Sequence, residues 1–107
     1  MHTPQTSSSI QDYWRATAKF PLLSPEEEFS LAQSWRQHGD QNASHKMAES
    51  HLRLAAKIAF GYKNYGFPVE ELIEEANVGL MQAIKRFDPD RGFRLATYAI
   101  WWIRAAV

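Results

Sequence analysis

Apolar residues recur at spacings of three and four along most of the chain, which is the period of helices that bury one face. No segment shows an equally strong period of two. The fold class predicted is therefore all-α, a compact helical bundle of about five helices. The predicted helices run from about Ser9 to Ala18, from Pro25 to about His38, from about Ala43 to Tyr62, from about Val69 to Phe87, and from Ala96 onward.

Local signals mark several helix boundaries. Ser24 is followed by Pro25 and, three residues after the serine, by Glu27, which predicts a capping box. Gly39 suits the left-handed conformation that ends a helix. Gly79 lies inside the fourth helix, where glycine costs about 1 kcal/mol relative to alanine. We expect close approach of another backbone to compensate for it.

Each predicted helix has an expected inner face. These faces consist of Ile10, Tyr13, Trp14 and Thr17 in the first helix; Phe29, Leu31, Ala32 and Trp35 in the second; and Leu72, Ile73, Ala76, Leu80, Ala83, Ile84 and Phe87 in the fourth.

The fifth helix is unusual because it carries two apolar stripes. One is aliphatic, and the other is mainly aromatic, with arginines on either side. Aromatic rings interleaved with arginines can stack unpaired bases and hold the adjoining phosphates. The alternative is that the rings pack in the core, and the helix alone favours neither. The aliphatic stripe is Ala96, Ala99, Ile100, Ile103 and Val107; the other is Tyr98, Trp101, Trp102 and Ala105, preceded by Phe93 and Leu95; the arginines are Arg91, Arg94 and Arg104.

Composition limits the possible function classes. The chain has 107 residues, no cysteine and a formal net charge of zero. A disulfide framework and a thiolate metal site are excluded, and zero net charge argues against a general nucleic-acid binder. Without an apolar run of membrane-spanning length or a signal peptide, we expect a cytoplasmic location.

Residues 1–8 are expected to be a disordered tail, and residues 9–107 are expected to form one domain that is truncated after Val107.

The charges are segregated along the chain. Residues 70–75 contain four glutamates and no cation, whereas residues 85–104 contain five cations and two aspartates. This distribution favours two different kinds of partner. The helix dipole alone would also account for the glutamates, because they lie near a helix start.

No catalytic site can be assembled from the sequence. No two of the four histidines (His2, His38, His45 and His51) are spaced i, i+4 on a predicted helix face. The glutamates lack the apolar surroundings that would raise a carboxyl pKa, and Gly92 lacks the spacing of a nucleotide-binding loop. We therefore predict a binding module that is not an enzyme and has no cofactor or metal.

Two runs of sequence, Glu71–Asp88 and Arg91–Arg104, resemble conserved region 2 of the bacterial sigma-70 family. Pro21–Glu28 resembles region 1.2 of that family, and Ser50–Leu54 resembles region 2.1. The resemblance covers residues 10–107. Trp35–Asp40, the Ser-His-Leu-Arg run and Ala105-Ala106 are most similar to the heat-shock (RpoH-like) class. The chain is thus identified as an N-terminal fragment that covers regions 1.2 to early 2.4.

The resemblance implies contacts with promoter DNA, because sigma factors give RNA polymerase its promoter specificity. Tyr98 matches the ring that stacks on the flipped adenine of the minus-ten element, and Trp101 and Trp102 match the pair that wedges at the upstream edge of the melted DNA. Trp102 is also expected to rest partly on the protein. Ala105 replaces a glutamine that reads a base pair in housekeeping sigma factors, and alanine offers no such hydrogen bond. The pocket around Tyr98 would be lined by Phe87, Asp88, Arg91, Phe93, Arg94 and Thr97, and His51, Arg53 and Leu54 would hold a second flipped base, His51 standing where housekeeping sigma factors have asparagine. Region 1.2, around Trp35 and His38, would lie near the discriminator DNA.

The resemblance also implies that the fourth helix docks on the clamp-helices coiled coil of the polymerase beta-prime subunit. The expected function is to recognise and help melt the promoter minus-ten element by capturing flipped non-template bases, which directs transcription initiation at heat-shock and stress genes. The alternative is a protein-interaction module for polymerase, chaperones, proteases or an anti-sigma factor. The polymerase-binding residues would be Glu71, Leu72, Glu74, Glu75, Asn77 and Met81.

Overall fold

The structure is a computed structural model that describes residues 6–107, with side chains from Ile10 onward. Six α-helices make up the described part: α1 (Thr6–Ala18), α2 (Pro25–His38), α3 (Gln41–Glu49), α4 (Leu52–Phe60), α5 (Val69–Arg86) and α6 (Leu95–Ala106). Two 3-10 turns, Lys63–Tyr65 and Pro89–Arg91, precede α5 and α6. The all-α class is confirmed, with six helices in place of about five. The predicted tail lies outside the described residues over positions 1–5, and α1 begins at Thr6 rather than Ser9.

The predicted third helix is two helices, α3 and α4. The hydroxyl of Ser50 donates to the carbonyl of Met47 at 3.0 Å, and His51 Nδ1 lies 2.7 Å from the same oxygen. These side chains compete for a carbonyl that a continuous helix would bond to the His51 N–H, and that N–H turns to Ala48 instead. Sequence periodicity missed the break because the apolar period continues across it.

The predicted boundary signals are confirmed at both ends of α2. The Glu27 N–H donates to Ser24 Oγ at 3.1 Å, and the Ser24 N–H donates to Glu27 Oε1 at 2.9 Å. The Ser24 N–H, and to a lesser degree the Ser24 hydroxyl, hold the pKa of the Glu27 carboxyl below its usual value by hydrogen bonding to it. Gly39 ends the helix at φ 64°, as its position predicts.

The inner face of α2 differs from the prediction at one position. Phe29 was expected to be buried, but it is 44% exposed, whereas the preceding Glu28 is only 3% exposed. Glu28 points inward because its carboxylate is bonded to the start of α6. An ionic contact has therefore replaced an apolar one on this face.

Helix α5 is the centre of the bundle and packs against both α4 and α6. All of its predicted core positions are buried: Leu72, Ile73, Ala76, Leu80, Ala83, Ile84 and, just after the helix, Phe87. Gly79 faces α6, where an added Cβ would lie 2.6 Å from the Trp102 carbonyl oxygen and 2.9 Å from the Ile103 Cα. The close backbone approach that the sequence predicted is confirmed.

Helix α6 buries its aliphatic stripe and leaves its aromatic stripe toward solvent. Ala99 and Ile103 have no exposed surface. Leu95 was grouped with the aromatic stripe, but it is fully buried too and belongs to the aliphatic one. The prediction for Leu95 was wrong because the first turn of α6 continues the 95, 99, 103 spacing of the buried face. Within residues 6–107, no helix is both long and apolar enough to cross a membrane.

Candidate nucleic-acid interface

Four aromatic rings cluster where the turn Pro89–Arg91 leads into α6. The ring centroid of Tyr98 lies 6.0 Å from that of Phe87, 5.9 Å from that of Phe93 and 6.2 Å from that of Trp102. Phe87 is buried, Tyr98 is half-buried and Phe93 is 40% exposed. The cluster therefore has an apolar floor with ring surface open to solvent above it, which suits stacking of a planar ligand.

The two adjacent tryptophans have different environments. Trp101 is 72% exposed. Trp102 is half-buried, and its ring lies edge-on to Tyr98 with the Arg86 guanidinium 5.1 Å from its centroid. The expectation that Trp102 rests partly on the protein agrees with this placement. Trp101 is the free ring of the pair.

Some of the polar side chains at the rim of the aromatic cluster are exposed, and others are bonded within the protein. Arg91 and Thr97 are exposed. Asp88 was predicted to line the pocket, but its Oδ1 accepts the Asp90 N–H at 3.0 Å and its Oδ2 lies 3.6 Å from a guanidinium nitrogen of Arg36. The Asp88 carboxylate therefore stabilises the turn before α6 and also links that turn to α2 through Arg36.

Arg94 is held by contacts within the protein. Its Nε donates to Glu28 Oε2 at 3.0 Å, and one terminal nitrogen donates to the Leu23 carbonyl at 2.9 Å. Glu28 Oε2 also accepts the Leu95 N–H at 2.8 Å, so a side chain from α2 satisfies a free donor at the start of α6. Sequence reasoning did not find Glu28, because its partners lie 66 and 67 positions away and no local spacing relates them.

His51, Arg53 and Leu54, the predicted second pocket, do line one cavity, of about 600 Å³. Its other walls include the segment Phe20–Leu23 and the residues Arg94 and Ala96. Arg53 is exposed at the rim, Leu54 is half-buried and His51 is buried. Arg94 thus connects this cavity to the region of the aromatic cluster.

His51 is hydrogen-bonded in addition to being buried. Its Nδ1 lies 2.7 Å from the Met47 carbonyl oxygen and 2.9 Å from Ser50 Oγ, and its Nε2 lies 3.8 Å from Glu28 Oε1. Burial lowers the pKa of the imidazole, and this effect outweighs the opposing attraction of the Glu28 carboxylate. The lowered pKa favours the neutral form of the His51 ring.

A second hollow, of about 420 Å³, lies between α2 and the aromatic cluster. Phe29, Phe87, Phe93 and Arg94 contribute to its walls. Sequence reasoning missed it because Phe29 was assigned to the core. The exposure of Phe29 follows from the burial of Glu28 beside it, which the apolar pattern of the helix does not record.

The predicted polymerase-binding residues divide into a surface and its support. Glu71, Glu74 and Glu75 are exposed, and Met81 is 42% exposed. Leu72 was predicted as a contact, but it is 6% exposed because it belongs to the core stripe of α5, where it lines a hollow of about 440 Å³.

Asn77 is half-buried beside α1. Its Nδ2 lies 3.4 Å from Tyr13 Oη, and its Oδ1 is buried without a hydrogen-bond partner in the part of the chain that the structure describes. Asn77 therefore links α5 to α1 and is only partly available at the surface of α5.

The remaining predicted positions are at the surface. Ala105 is exposed on α6, four residues after Trp101, and His38 is exposed at the end of α2. Trp35 packs partly against the core. No group of three metal-ligating side chains comes together among residues 6–107.

Comparison with known proteins finds two adjoining matches. The family model described as Sigma-70 region 2 matches residues 47–107, and the model described as Sigma-70 factor, region 1.2, matches residues 8–41. The first covers more than half of the chain, including α4, α5 and α6.

Several curated proteins are similar over almost the whole chain. An RNA polymerase sigma factor RpoH of Caulobacter vibrioides is 62% identical over 98 residues, covering 92% of this chain and 33% of that protein. An RpoH of Rhizobium radiobacter is 55% identical over 100 residues, 94% of this chain and 33% of its own length. An RpoS of Coxiella burnetii is 47% identical over 104 residues, 96% of this chain and 29% of its own length.

The chain spans about a third of the length of these relatives. Both family models keep the order of the predicted regions, with region 1.2 on α1 and α2 and region 2 from the end of α3 onward. The chain therefore belongs to the sigma-70 family, of which it contains regions 1.2 and 2.

Proposed function

We propose that this chain is the part of a sigma factor that binds core RNA polymerase and captures non-template bases of the promoter minus-ten element. The observation that carries the proposal is the aromatic surface of α6, which has ring surface open to solvent, whereas Leu95, Ala99 and Ile103 on the opposite face are fully buried. The family consists of transcription initiation factors, in agreement with the expectation that the chain is not an enzyme.

The first captured base would stack on the aromatic cluster. Tyr98 and Phe93 offer the accessible ring surface, and Phe87 supports both from below. Arg91 and Thr97 are the exposed polar side chains beside it. Asp88 Oδ1 already accepts the Asp90 N–H, so Asp88 contributes by fixing the turn before α6.

Trp101 would stack at the upstream edge of the opened DNA, because it is the ring with the largest free surface on α6. Trp102 supports the neighbouring Tyr98 and is itself held by Arg86. Ala105 adds contact surface without a hydrogen bond.

The second captured base would enter the cavity between α4 and the segment Phe20–Leu23. Its volume of about 600 Å³ exceeds that of a single base, and His51, Leu54 and Arg94 offer one polar, one apolar and one charged wall. Arg53, exposed at the rim, is suited to a phosphate of the same strand.

The polymerase surface would be the exposed acidic face of α5. Glu71, Glu74 and Glu75 offer charge, and Met81 offers an adaptable apolar contact, a combination suited to the basic face of a coiled coil such as the beta-prime clamp helices. Leu72 and Asn77 act beneath this surface, Leu72 through the core and Asn77 through Tyr13. We further propose that residues 9–107 form one domain, that the protein acts in the cytoplasm, and that its promoters include heat-shock genes.

A second candidate function is a protein-interaction module for chaperones, proteases or an anti-sigma factor. The observation that favours it is the exposure of Val78, which is 53% exposed beside the acidic face of α5 and adds apolar surface to that of Met81. The two functions differ in what they require of the aromatic residues on α6.

Paired substitutions separate these functions. Alanine at Tyr98 or Trp101 should weaken binding of a single-stranded minus-ten oligonucleotide by polymerase holoenzyme roughly tenfold each, because one stacked base is worth about 1–3 kcal/mol. Assembly with core polymerase should not change. Lysine at both Glu74 and Glu75 should do the reverse and weaken assembly. Fluorescence anisotropy with labelled oligonucleotide or labelled sigma factor measures both.

Tyr65→Ala is the matched control, since Tyr65 is 73% exposed but lies outside the proposed DNA surface. If only the charge reversal has an effect, base capture is refuted and the interaction module is the better account.

The chain alone should bind single strand weakly and should not open duplex DNA. Opening costs about 1.4 kcal/mol per base-pair step over several steps, whereas two stacked bases return about 2–6 kcal/mol before the entropy of ordering the strand is counted. Zero net charge adds little attraction for phosphates. Permanganate reactivity of unpaired thymines should stay at background with the chain and rise when core polymerase is added, whereas reactivity with the chain alone would contradict the prediction.

A further inference from the structure

We propose that Arg36, on α2, is a positioning residue for capture of the first base. Its guanidinium contacts the end of α5 and the turn that leads into α6, and it thereby holds Phe87 and Asp88 in the places that the aromatic cluster requires. The proposal rests on the proposed stacking of a base on Tyr98 and Phe93, and it adds a side chain from a different helix to the support of that site.

The guanidinium of Arg36 contacts two consecutive residues. Its Nη1 donates to the Phe87 carbonyl oxygen at 3.2 Å, and its Nη2 lies 3.6 Å from Asp88 Oδ2. Because the guanidinium is planar and rigid, contacts through two of its nitrogens fix both the peptide group that follows Phe87 and the Asp88 carboxylate. The backbone at the start of the turn is therefore held in one orientation relative to α2.

The carbonyl that accepts from Arg36 lies just beyond the last turn of α5. Helix α5 ends at Arg86, and the Phe87 N–H donates to the Ile84 carbonyl at 3.4 Å. Carbonyl groups at the C-terminus of a helix lack partners within the helix, and the helix dipole favours a cation there. Arg36 supplies both a donor and a positive charge at the point where the chain leaves α5.

A second side chain of α2 reaches the same turn. Gln33 Nε2 donates to Asp90 Oδ1 at 3.3 Å, and the Asp90 N–H donates to Asp88 Oδ1 at 3.0 Å. Gln33 and Arg36 are three residues apart and so lie on one face of α2. Helix α2 therefore holds the turn both at its beginning and at its middle. The contact of Arg36 is the stronger of the two, because a charged donor makes the stronger hydrogen bond.

The conformation of this turn determines how the rings of the aromatic cluster are spaced. Phe87 precedes the turn and Phe93 follows it, and their ring centroids lie 6.2 Å apart. Phe87 is also the buried ring beneath Tyr98, at a centroid distance of 6.0 Å. Groups that bind a ligand work only when the contacts behind them hold their geometry closely. Loss of Arg36 should therefore loosen the floor on which the first base stacks.

The cavity proposed for the second base provides an internal reference. It is lined by residues of α4, the segment Phe20–Leu23 and the start of α6, and Arg36 is not one of its walls. Arg94, the cation in that cavity, is held by Glu28, which lies two helical turns before Arg36 on α2. A change at position 36 should therefore affect the first base and leave the second base unaffected.

The experiment uses the full-length protein that carries this chain, assembled with core polymerase. Single-stranded minus-ten oligonucleotides carry an abasic site at the position of the first captured base, at that of the second, or at neither, and fluorescence anisotropy measures their binding. In the parent protein the first abasic site should weaken binding about tenfold, the loss of one stacked base.

Arg36→Met is the test variant, because methionine keeps an aliphatic stem and removes both contacts. The penalty for the first abasic site should fall from about tenfold to about threefold, since a misplaced floor gives up much of the stacking. The penalty for the second abasic site and assembly with core polymerase should not change. Lys46→Met, which removes one exposed cation from α3, is the matched control and should keep both penalties of the parent.

Gln33→Ala is a milder variant, because it removes only the exposed contact to Asp90. It should lower the penalty for the first abasic site in the same direction but by a smaller factor. If Arg36→Met does not assemble, Gln33→Ala decides, and an unchanged first-site penalty in that variant would then overturn the proposal.

The outcomes separate this proposal from the proposed function. If Arg36→Met weakens binding of every oligonucleotide by the same factor, or keeps the tenfold penalty for the first abasic site, the positioning role of Arg36 is overturned while base capture stands. If the parent protein binds the first abasic oligonucleotide as tightly as the intact one, capture of the first base itself fails.

Discussion

A Gly79→Val substitution is expected to lower the free energy of unfolding by about 3 kcal/mol, the upper part of the range for overpacking a core. The reason is geometric, since a Cβ at position 79 would lie 2.6 Å from the Trp102 carbonyl oxygen and 2.9 Å from the Ile103 Cα. Both are backbone atoms of α6 and cannot rotate away. The helices must separate, and urea denaturation followed by circular dichroism measures the cost.

Gly79→Ala should lower the free energy of unfolding less than Gly79→Val does, because alanine recovers about 1 kcal/mol of helix propensity relative to glycine. Val78→Ala is the matched control on the neighbouring, exposed position and should change stability by less than about 0.5 kcal/mol. A Gly79→Val protein as stable as the parent would show that α5 and α6 have room between them and would contradict the prediction.

The effect should extend to function, because α5 carries the acidic face proposed for polymerase and α6 carries the rings proposed for DNA. Trp102, whose carbonyl meets position 79, is also the residue that supports Tyr98 at a centroid distance of 6.2 Å. Separation of the two helices would move that support. We therefore expect Gly79→Ala, which should still fold, to weaken oligonucleotide binding more than assembly with polymerase.

Much of the fold could be predicted from the sequence, because the decisive interactions are local. The capping box at Ser24 and Glu27 spans three residues, and the left-handed Gly39 depends on its own backbone. The buried stripe of α5 follows the helical period without exception. Even the close contact at Gly79 was predictable in kind, because a glycine inside a helix needs a compensating contact, although its partner could not be named.

The predictions failed where hydrogen bonds of polar side chains, some local and some between distant segments, override the apolar period. The separation of α3 from α4 depends on Ser50 and His51 bonding to a carbonyl, and no apolar pattern records that. Phe29 and Glu28 exchange the expected inside and outside places because Glu28 binds residues at the start of α6.

The candidate site was predicted to a similar degree. Its residues were named through the resemblance, and the structure brings the two predicted groups into an aromatic cluster and a cavity. Three of them have contacts within the protein, since Asp88 and Arg94 are bonded to neighbouring segments and Leu72 lies in the core. Sequence could name these residues, but it could not show which of their atoms are free.

The other large effect is expected at Glu28. Glu28→Ala would leave the Leu95 N–H without its acceptor and the Arg94 guanidinium without its carboxylate. Removing one partner of a buried ion pair costs about 3–5 kcal/mol. The Arg94 side chain is 47% exposed, so water can replace part of the lost interaction, and the free energy of unfolding is expected to fall by about 2–3 kcal/mol. Urea denaturation measures it.

Glu28→Gln separates the helix cap from the charge. A glutamine oxygen can still accept from the Leu95 N–H, so this variant should lose less stability than Glu28→Ala, while Arg94 loses its ionic partner. Glu26→Gln, an exposed glutamate in the same turn of α2, is the control and should remain within about 0.5 kcal/mol of the parent. Equal losses in Glu28→Ala and Glu26→Gln would show that the buried carboxylate contributes nothing.

The same variant also reports on His51. The Glu28 carboxylate opposes the effect of burial, so removing its charge should lower the pKa of His51 further. Stability carried by a histidine that is buried in its neutral form is present above the unfolded pKa and is lost as the pH falls toward the folded one. In Glu28→Gln this acid loss should continue to lower pH than in the parent, because the folded pKa is lower. Nuclear magnetic resonance titration of the His51 ring protons measures the shift, and an unchanged or raised pKa would mean that Glu28 and His51 do not interact electrostatically across their 3.8 Å separation.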